Sequence, residues 1–540
     1  MTVRSLPPEP PRAGPDRVRA DVVVVGAGLA GLYAAVRLPD GLDVVVVDKG
    51  LPGGDSGSSP WAQGGLAAAL DPEDSPALHA VDTIRAGDGL CDPLAVGVLT
   101  REIPGHVREL LRLGAQLDRH AGRPDDDLAG LDLAREGGQT VGRSVRRADA
   151  TGAELVRTLR TAAAPRVTRL QGIVPSLAHD QHGRVTGVWV LADGDVIAVE
   201  ARAVLLATGG CGALFAATTN PDAATGDGLA LAGAAGAVLR DVEFVQFHPT
   251  GLAVDGAWRF LLTEALRGAG ATLHDADGRR FLVGRHPDAE LAPRHVVAQA
   301  MLELPDATAW LDATHLRETE LRTEFPTVLA GARRYGFDLA SERVPVTPAA
   351  HYQVGGARTD LEGRTSVPGL YAAGETASTG VHGANRMAGN SLGESLVYAA
   401  RAVTALVAEL PARHGAIGRP PRLRDDASVD VAAVRAELRA RMLADGGPVR
   451  TGAGLAALAR QLANRTCAVG DPTADVASVE LHHALRAAAT VVRGATLRTE
   501  SRGGHWRADH PVSDPAWAGV HLEQVGLPPS GPGGPGGAGD

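Results

Sequence analysis

Two unbroken apolar runs stand near the start of the sequence, residues 22–25 (VVVV) and 44–47 (VVVV). Four apolar residues in succession predict a strand buried on both faces, because a half-exposed strand would alternate. The first run enters Gly26-Ala27-Gly28-Leu29-Ala30-Gly31 and then a helix predicted through about Leu38; the second ends at Asp48. Two further strand-to-glycine junctions lie far downstream, residues 203–207 into Gly209-Gly210 and residues 369–373 into Gly374-Glu375. Strands so widely separated that end in the same chemistry predict one nucleotide-binding sheet interrupted by an insertion at 241–353. Past a Pro-rich stretch at 419–421 the period becomes helical. Val431, Val434, Leu438 and Met442 share a face, as do Leu455, Leu458 and Leu462, and Val476, Val479 and Leu485. They predict three packed helices whose apolar stripes are core.

The chain has 540 residues, so two or three domains are expected. The expected units are 20–240 with 354–418, then 241–353, then 425–525. The Pro- and Arg-rich residues 1–19 are expected to be disordered, and 528–540 (PPSGPGGPGGAGD) to be a flexible tail. A net charge of −10 argues against nucleic acid as a partner, which needs a basic stripe. Lys49 is the sole lysine; its rarity reads as compositional bias. Cys91, Cys211 and Cys467 stand far apart without a CxxC, which predicts no metal centre and fits a reducing cytoplasm. No apolar stretch nears the ~20 residues of a membrane span, and the N-terminal residues lack the apolar core of a signal peptide.

The glycine motif carries chemistry because of its setting. It lies between a strand and a helix, with Asp48 closing the next strand. Gly26 makes the turn, Gly28 admits a pyrophosphate to the helix N-terminus, Gly31 lets helix and strand pack, and Asp48 can accept from ribose hydroxyls. Two loops rich in small residues and backbone donors accompany it. One runs from Ser56 through Ser58, Ser59 and Gln63 to Gly64-Gly65, and the other from Ala384 through Asn390, Ser391 and Leu392 to Glu394. Ser391 and Glu394 have capping-box spacing, so a helix is expected to start at Ser391. His106, His120, His179, His182 and His482 have no motif around them and are expected at the surface.

These segments together resemble the flavoprotein family of succinate dehydrogenase, fumarate reductase and L-aspartate oxidase. The matching stretches include GAGLAG (26–31), WAQGG (61–65), REGGQ (135–139), ATGG (207–210), TGDG (225–228), EFVQFHPTG (243–251), ELAPRHVVAQA (290–300), HYQVGG (351–356), TGVHGANRMAGNSL (379–392) and ESRGGHWRADHP (500–511). They span almost the whole chain in the family's order. The resemblance implies an α/β fold: a Rossmann-like FAD-binding domain, interrupted by an α+β capping domain and followed by a C-terminal helical bundle domain. It implies FAD as cofactor, held by Gly26, Ala27, Gly28, Leu29, Ala30, Gly31, Asp48 and Lys49. Ser58, Ser59, Gln63, Gly64, Gly65, Asp227, Glu375, Asn390, Ser391 and Leu392 complete that implied set.

Two positions separate the branches of the family. Dehydrogenases carry a flavin-linking histidine five residues before the Gln of the first loop, where this chain has Ser58, so the FAD is expected to be non-covalent. Dehydrogenases have an uncharged residue where this chain has Glu136, and aspartate oxidases resemble R-E-G-G there. An α-ammonium calls for such a negative partner and succinate does not. Gln139-Thr140 depart from the more usual His-Ser without changing the implied substrate. The resemblance then implies oxidation of L-aspartate to iminoaspartate, with oxygen or fumarate as acceptor, in the supply of quinolinate and NAD. Arg294, Arg386, His248, His351 and Glu136 are the implied catalytic set, with Gln246, Thr263 and Glu264 around the substrate. Arg294 is the family's proton-transfer residue, but an arginine keeps its proton at neutral pH, which suits an electrostatic clamp better than a base. His505 is read equally as a docking residue of the helical domain and as a direct participant. L-aspartate and fumarate are the implied ligands and quinolinate synthase the candidate transient partner, with no membrane and a monomer or homodimer. The alternative reading is a soluble fumarate reductase or a succinate dehydrogenase-type flavoprotein subunit.

Overall fold

A computed structural model describes residues 17–526, apart from 51–56, 121, 123, 125–126, 255–259 and 425–428. The expected disorder of 1–16, the tail at 528–540 and the loop position Ser56 therefore lie outside the described residues.

The apolar runs become the centre of a seven-stranded sheet. Its order is Thr168–Gln171, Val44–Asp48, Arg17–Val25, Asp195–Leu206, Val185–Ala192 and Ile173–His179, with Leu370–Ala372 also paired to Asp195–Leu206. The neighbours of Arg17–Val25 are parallel to it, and Val25 stands beside both Val47 and Leu206. Leu206 in turn stands beside Ala372. The glycine-ended strands thus finish at one level, which places their loops along a common crevice at the carboxyl edge of the sheet. The first strand begins at Arg17, so residues 17–19 are ordered, contrary to the expectation for 1–19. Arg17 and Arg19 are held across the sheet by Glu200, at 3.2 and 2.9 Å, a pairing their own composition does not announce.

The segment between the second and third glycine junctions makes an antiparallel sheet of Val245–Leu252, Val344–Gln353, Ala309–Asp312 and Thr272–His274. The helices Arg294–Leu302 and Pro326–Arg334 accompany it, and Leu252, Leu266, Met301, Leu311, Val328 and Val346 share a core separate from that of the large sheet.

Three helices follow, Val431–Asp445, Gly452–Val469 and Val476–Leu497. Leu438, Met442, Leu455, Leu458, Leu462, Val479 and Leu485 are buried as the stripes predict, but Val476 is 41% exposed at the first position of its helix. The helices have no core of their own. Leu481 and Leu485 pack in one cluster with Leu229 and Leu231 and with Val199 and Val204 of the large sheet. After the helices Glu523–Val525 returns to pair with Val238–Arg240.

Three histidines expected at the surface are partly buried. His106 bonds the Tyr33 hydroxyl at 2.7 Å, His482 bonds the Gly470 carbonyl at 3.1 Å, and His179 lies at the end of strand Ile173–His179. His120 and His182 are exposed. His505 is wholly buried between Arg450 and the Arg498 carbonyl, which assigns it to docking of the C-terminal segment. Among the described residues, no helix is long and apolar enough to cross a membrane.

Candidate active site

A continuous cleft, about 1570 Å3 with the open solvent at its mouth included, runs along the carboxyl edge of the large sheet to the antiparallel sheet. At one end its wall is the backbone of residues 26–30. Gly26 has φ +107°, and a Cβ there would lie 2.3 Å from the Ala207 carbonyl oxygen, so only glycine fits the turn. A Cβ on Gly31 would meet the Gly26 oxygen at 1.9 Å, which is why Gly31 packs beneath the turn and not on the cleft wall. The helix Leu29–Arg37 starts here, with its first N–H donors toward the cleft. Ser59 Oγ accepts the Leu29 N–H at 3.0 Å and ties the first flavin-type loop to that helix start. Asp48, Lys49, Ser58, Gln63, Gly64, Gly65, Asp227 and Glu375 line the same cleft. Lys49 Nζ lies 2.7 Å from Asp227 and 2.8 Å from Glu480 of the C-terminal helices. Burial alone would raise the Asp227 carboxyl, but Lys49 and His483 hold it below the usual carboxylate range.

The expected capping box is not formed. The helix Asn390–Ala408 starts one residue earlier, after Gly389 in the left-handed region, with no side-chain cap. Ser391 instead accepts from Arg386 Nη1 at 3.3 Å, and Glu394 points back into the protein. The Asn390 side chain also turns away from the cleft, bonding His79 at 2.8 Å and Thr83 at 2.9 Å, whereas Ser391 and Leu392 remain on the wall.

At the other end the cleft gathers Glu136, His248, Thr263, Glu264, Arg294, His351 and Arg386. Strand Val245–Leu252 carries His248, and the adjoining Val344–Gln353 carries His351; their rings are 4.9 Å apart. Burial and the nearby Arg294 push both imidazoles well below the ordinary histidine value, so both are neutral at pH 7. The Thr250 N–H donates to His248 Nδ1 at 3.2 Å, which leaves the proton on Nε2 as a donor. Arg294 opens its helix and gives Nε to Glu264 at 2.6 Å. Burial alone would raise the Glu264 carboxyl, but Arg294 and Arg267 keep it below its ordinary value. Glu264 lies so close over Gly137 that a Cβ there would come within 1.9 Å of its carboxylate.

Glu136 is buried and accepts the Gly65 N–H at 2.7 Å. Its own N–H donates to Gln139 Oε1 at 3.0 Å, and Gln139 Nε2 donates to Ser144 at 2.9 Å. Thr140 is anchored to Asp82 through its N–H and hydroxyl. The two departures from the family's usual residues thus brace the Glu136 loop. Burial raises the Glu136 carboxyl, and Glu264 adds to it, against the Gly65 hydrogen bond. A cation beside it would reverse that shift.

Gln246 does not line the cleft. It is fully buried behind it, accepting from Arg294 Nη1 at 3.1 Å and donating to the Arg386 carbonyl at 2.8 Å. It braces both arginines. Thr219, Asn220 and Tyr352 are among the cleft residues to which the sequence assigned no role. Thr219 Oγ1 lies 2.7 Å from His351 Nδ1, Asn220 donates to the His351 carbonyl at 3.0 Å, and the Arg386 guanidinium lies 4.7 Å over the Tyr352 ring. Tyr352 stands beside His351 in the quoted motif, and a Thr-Thr-Asn run before TGDG was the available signal for the other two.

The cleft fits a flavin dinucleotide. Its pyrophosphate end is formed by Gly26, Gly28 and their small or apolar neighbours at a helix start, and two buried polar atoms on the wall, Gln63 Oε1 and Arg386 Nε, lack partners among the described residues. Glu375, half-buried, lies on the same wall; removal from water pushes its carboxyl up to about 7, against a hydrogen bond from the Gln353 N–H. Between its ordinary value of 4.5 and about 7, the folded protein holds this proton and the unfolded chain does not. The contribution is therefore present at low pH and lost as pH rises through 7. In protein stripped of cofactor, Glu375→Gln is expected to flatten the fall in stability between pH 5 and 7.5, an effect of at most about 3 kcal/mol. Denaturant melts of both proteins across that range check it; parallel pH profiles would refute it.

Residues 21–392 match the FAD binding domain family, and 435–524 match the fumarate reductase flavoprotein C-terminal family. The chain is 45% identical to the L-aspartate oxidase of Caulobacter vibrioides, over 91% of this chain and 94% of that one. It is 46% identical to the L-aspartate oxidase of Streptomyces coelicolor, over 92% and 90%. Among solved structures, E. coli quinol fumarate reductase superposes with a TM-score of 0.85 at 29% identity, covering 95% of this chain and 96% of that one. The Mycobacterium smegmatis Sdh1 complex superposes with a TM-score of 0.78 at 30% identity, covering 95% and 94%. A nucleotide cleft built on these motifs, full-length similarity to aspartate oxidases and the fumarate reductase fold agree: the chain belongs to the L-aspartate oxidase family of FAD-dependent flavoproteins.

Proposed function

We propose that this protein oxidises L-aspartate to iminoaspartate with FAD, and that a buried acid at the substrate end of the cleft selects the amino acid over its plain dicarboxylate analogues. The observation that carries this reading is Glu136, a buried carboxylate facing a cleft otherwise rich in cations and neutral donors. Arg386, His351, His248 and Thr263 are assigned to the two substrate carboxylates. Glu136 is assigned to the ammonium, as the carboxylate that pairs with it and the acceptor nearest to the proton it must lose before Cα–H can break. Arg294, fastened by Glu264 and Gln246, serves as an electrostatic clamp, with Glu264 and Gln246 as its braces. When bound, FAD supplies the acceptor for the hydride leaving Cα. Gly26 to Ala30, Asp48, Lys49, Ser58, Ser59, Gln63 to Gly65, Asp227, Glu375, Ser391 and Leu392 would hold it, with Gly31 contributing through its packing beneath the turn and Asn390 through its place at the helix start. Oxygen or fumarate would reoxidise it, and the imine product would pass to quinolinate synthesis in the cytoplasm, with quinolinate synthase as a transient partner.

The domain division belongs to the same proposal. The inserted segment 241–353 supplies His248, Thr263, Arg294 and His351, and Arg386 comes from the nucleotide-binding part; the separate apolar core of the insertion supports treating it as a capping unit.

An amino-acid screen on the purified holoenzyme tests the function. Without oxygen, L-aspartate should bleach the flavin absorbance and fumarate should restore it. Bleaching by succinate but not by aspartate would overturn the reading. A second expectation follows from Ser58, which stands on the cleft wall where a flavin-linking histidine would be needed. Acid precipitation should release all the yellow colour into the supernatant, and colour retained in the pellet would contradict a non-covalent cofactor.

A further inference from the structure

The Ser391/Glu394 pair, which does not cap its helix, has another use. Arg386 and Arg294 are both buried at the cleft, but they are held differently. Arg294 is paired with the Glu264 carboxylate at 2.6 Å. Arg386 donates to the Ser391 hydroxyl and lies on the Tyr352 ring, and among the described residues none of its nitrogens donates to a carboxylate. A guanidinium already paired with a protein carboxylate must give up that partner to bind a substrate carboxylate. One supported on an aromatic face keeps its N–H groups free and its charge unneutralised, because the ring offers only the negative pole of its quadrupole.

The ring is fixed from its far end. The Tyr352 hydroxyl donates to Glu394 Oε2 at 3.0 Å. Glu394 is 1% exposed and is satisfied by two other donors, His382 Nε2 at 2.9 Å and the Thr379 hydroxyl. Thr379 and His382 lie in the segment leading to Arg386 itself, so one carboxylate fastens both the chain that carries Arg386 and the ring beneath it. A phenol donating to a carboxylate also has a more electron-rich face, which strengthens its hold on a cation.

We propose that Glu394 is a positioning residue for substrate binding, which acts through Tyr352 to hold Arg386 open toward a carboxylate. This deepens the functional reading above and rests on its assignment of Arg386 to a substrate carboxylate. Neither Glu394 nor the Tyr352 hydroxyl is asked to touch substrate.

The test uses the holoenzyme, with succinate and L-aspartate as probes and binding read from the perturbed flavin spectrum. Tyr352→Leu, which removes the ring, should raise the Kd for both probes by about tenfold. Tyr352→Phe and Glu394→Gln should each raise it about threefold. Because the two act in series, the double variant should bind no worse than the weaker single variant. Flavin content and melting temperature should stay near wild type in Tyr352→Phe, which loses a single hydroxyl and so remains informative if Glu394→Gln does not fold. The loss should appear in KM more than in kcat. An unchanged Kd in Tyr352→Phe and Tyr352→Leu overturns the proposal, and so does a double variant whose loss is the product of the two singles. A wild-type enzyme that binds succinate but does not oxidise aspartate would sink the functional reading and leave this one standing. One that binds neither probe would overturn both.

Discussion

Glu136→Gln is expected to weaken L-aspartate binding by roughly one to two orders of magnitude while sparing fumarate. The substitution keeps the size of the side chain and an acceptor for the Gly65 N–H, which the carboxylate receives at 2.7 Å. It removes the one charge assigned to the substrate ammonium. A hydrogen bond to a charged group contributes about 1.5–3 kcal/mol, which sets the range. Fumarate has no ammonium. Its reduction by the reduced enzyme should therefore be unchanged or improved, because a carboxylate that repels it has gone. The burial that raises the Glu136 carboxyl also means that an unpaired charge there is costly to the empty enzyme, so Glu136→Gln should not lower the melting temperature. Aspartate oxidation and fumarate reduction must be measured on one preparation. Equal losses in the two reactions would make Glu136 structural, and no loss in either would remove it from the site.

Arg386→Gln is expected to produce the larger and less selective effect. Arg386 is buried and has neutral neighbours below it, so a substrate carboxylate meeting it would be a desolvated charge pair. Truncating one member of such a pair costs about 2–5 kcal/mol, much of it from the other charge left unpaired. The expected fall in kcat/KM is then from about thirtyfold to a few thousandfold, and it should strike aspartate oxidation and fumarate reduction alike, since both ligands present two carboxylates. Burial, with Arg294 nearby, draws the Arg386 guanidinium down to about 10, so the folded protein bears a cost for this cation that glutamine relieves. Stability should accordingly hold or rise as activity collapses. A variant that lost fumarate reduction but kept aspartate oxidation would place Arg386 elsewhere in the reaction. The contrast with Glu136 is diagnostic: one substitution separates the two ligands, and the other does not.

The features legible in the amino-acid order alone were those set by local chemistry. Residues 22–25 and 44–47 are buried strands because an unbroken apolar run has no polar face to give to water. Gly26 is required where the backbone turns with positive φ against Ala207, and the helix after it starts at Leu29, inside the glycine motif. The three late helices follow from the 3.6-residue period. His248, His351, Arg294, Arg386 and Glu136 were visible as candidates because their motifs are dense and stand in a family's order, and the cleft brings all five together.

What tertiary structure alone decided is which way polar side chains turn, and with whom. Serine and glutamate three apart suit a cap locally, but Glu394 is buried where Tyr352, His382 and Thr379 arrive from other segments, and their three donors outcompete a helix end. Gln246 and Asn390 sit in motifs that touch the cleft, yet both face behind it, because each buried amide found partners there that no spacing rule contains. Arg17 and Arg19 read as part of a polar tail until backbone pairing with Ala198 and Glu200, far along the chain, makes them a strand. Thr219 and Asn220 gain a role only because the fold lays them against His351. A sequence records the preference of each residue for water, apolar surroundings or a turn. It does not record the distant donor that satisfies a buried acceptor, since that depends on chain segments meeting in space.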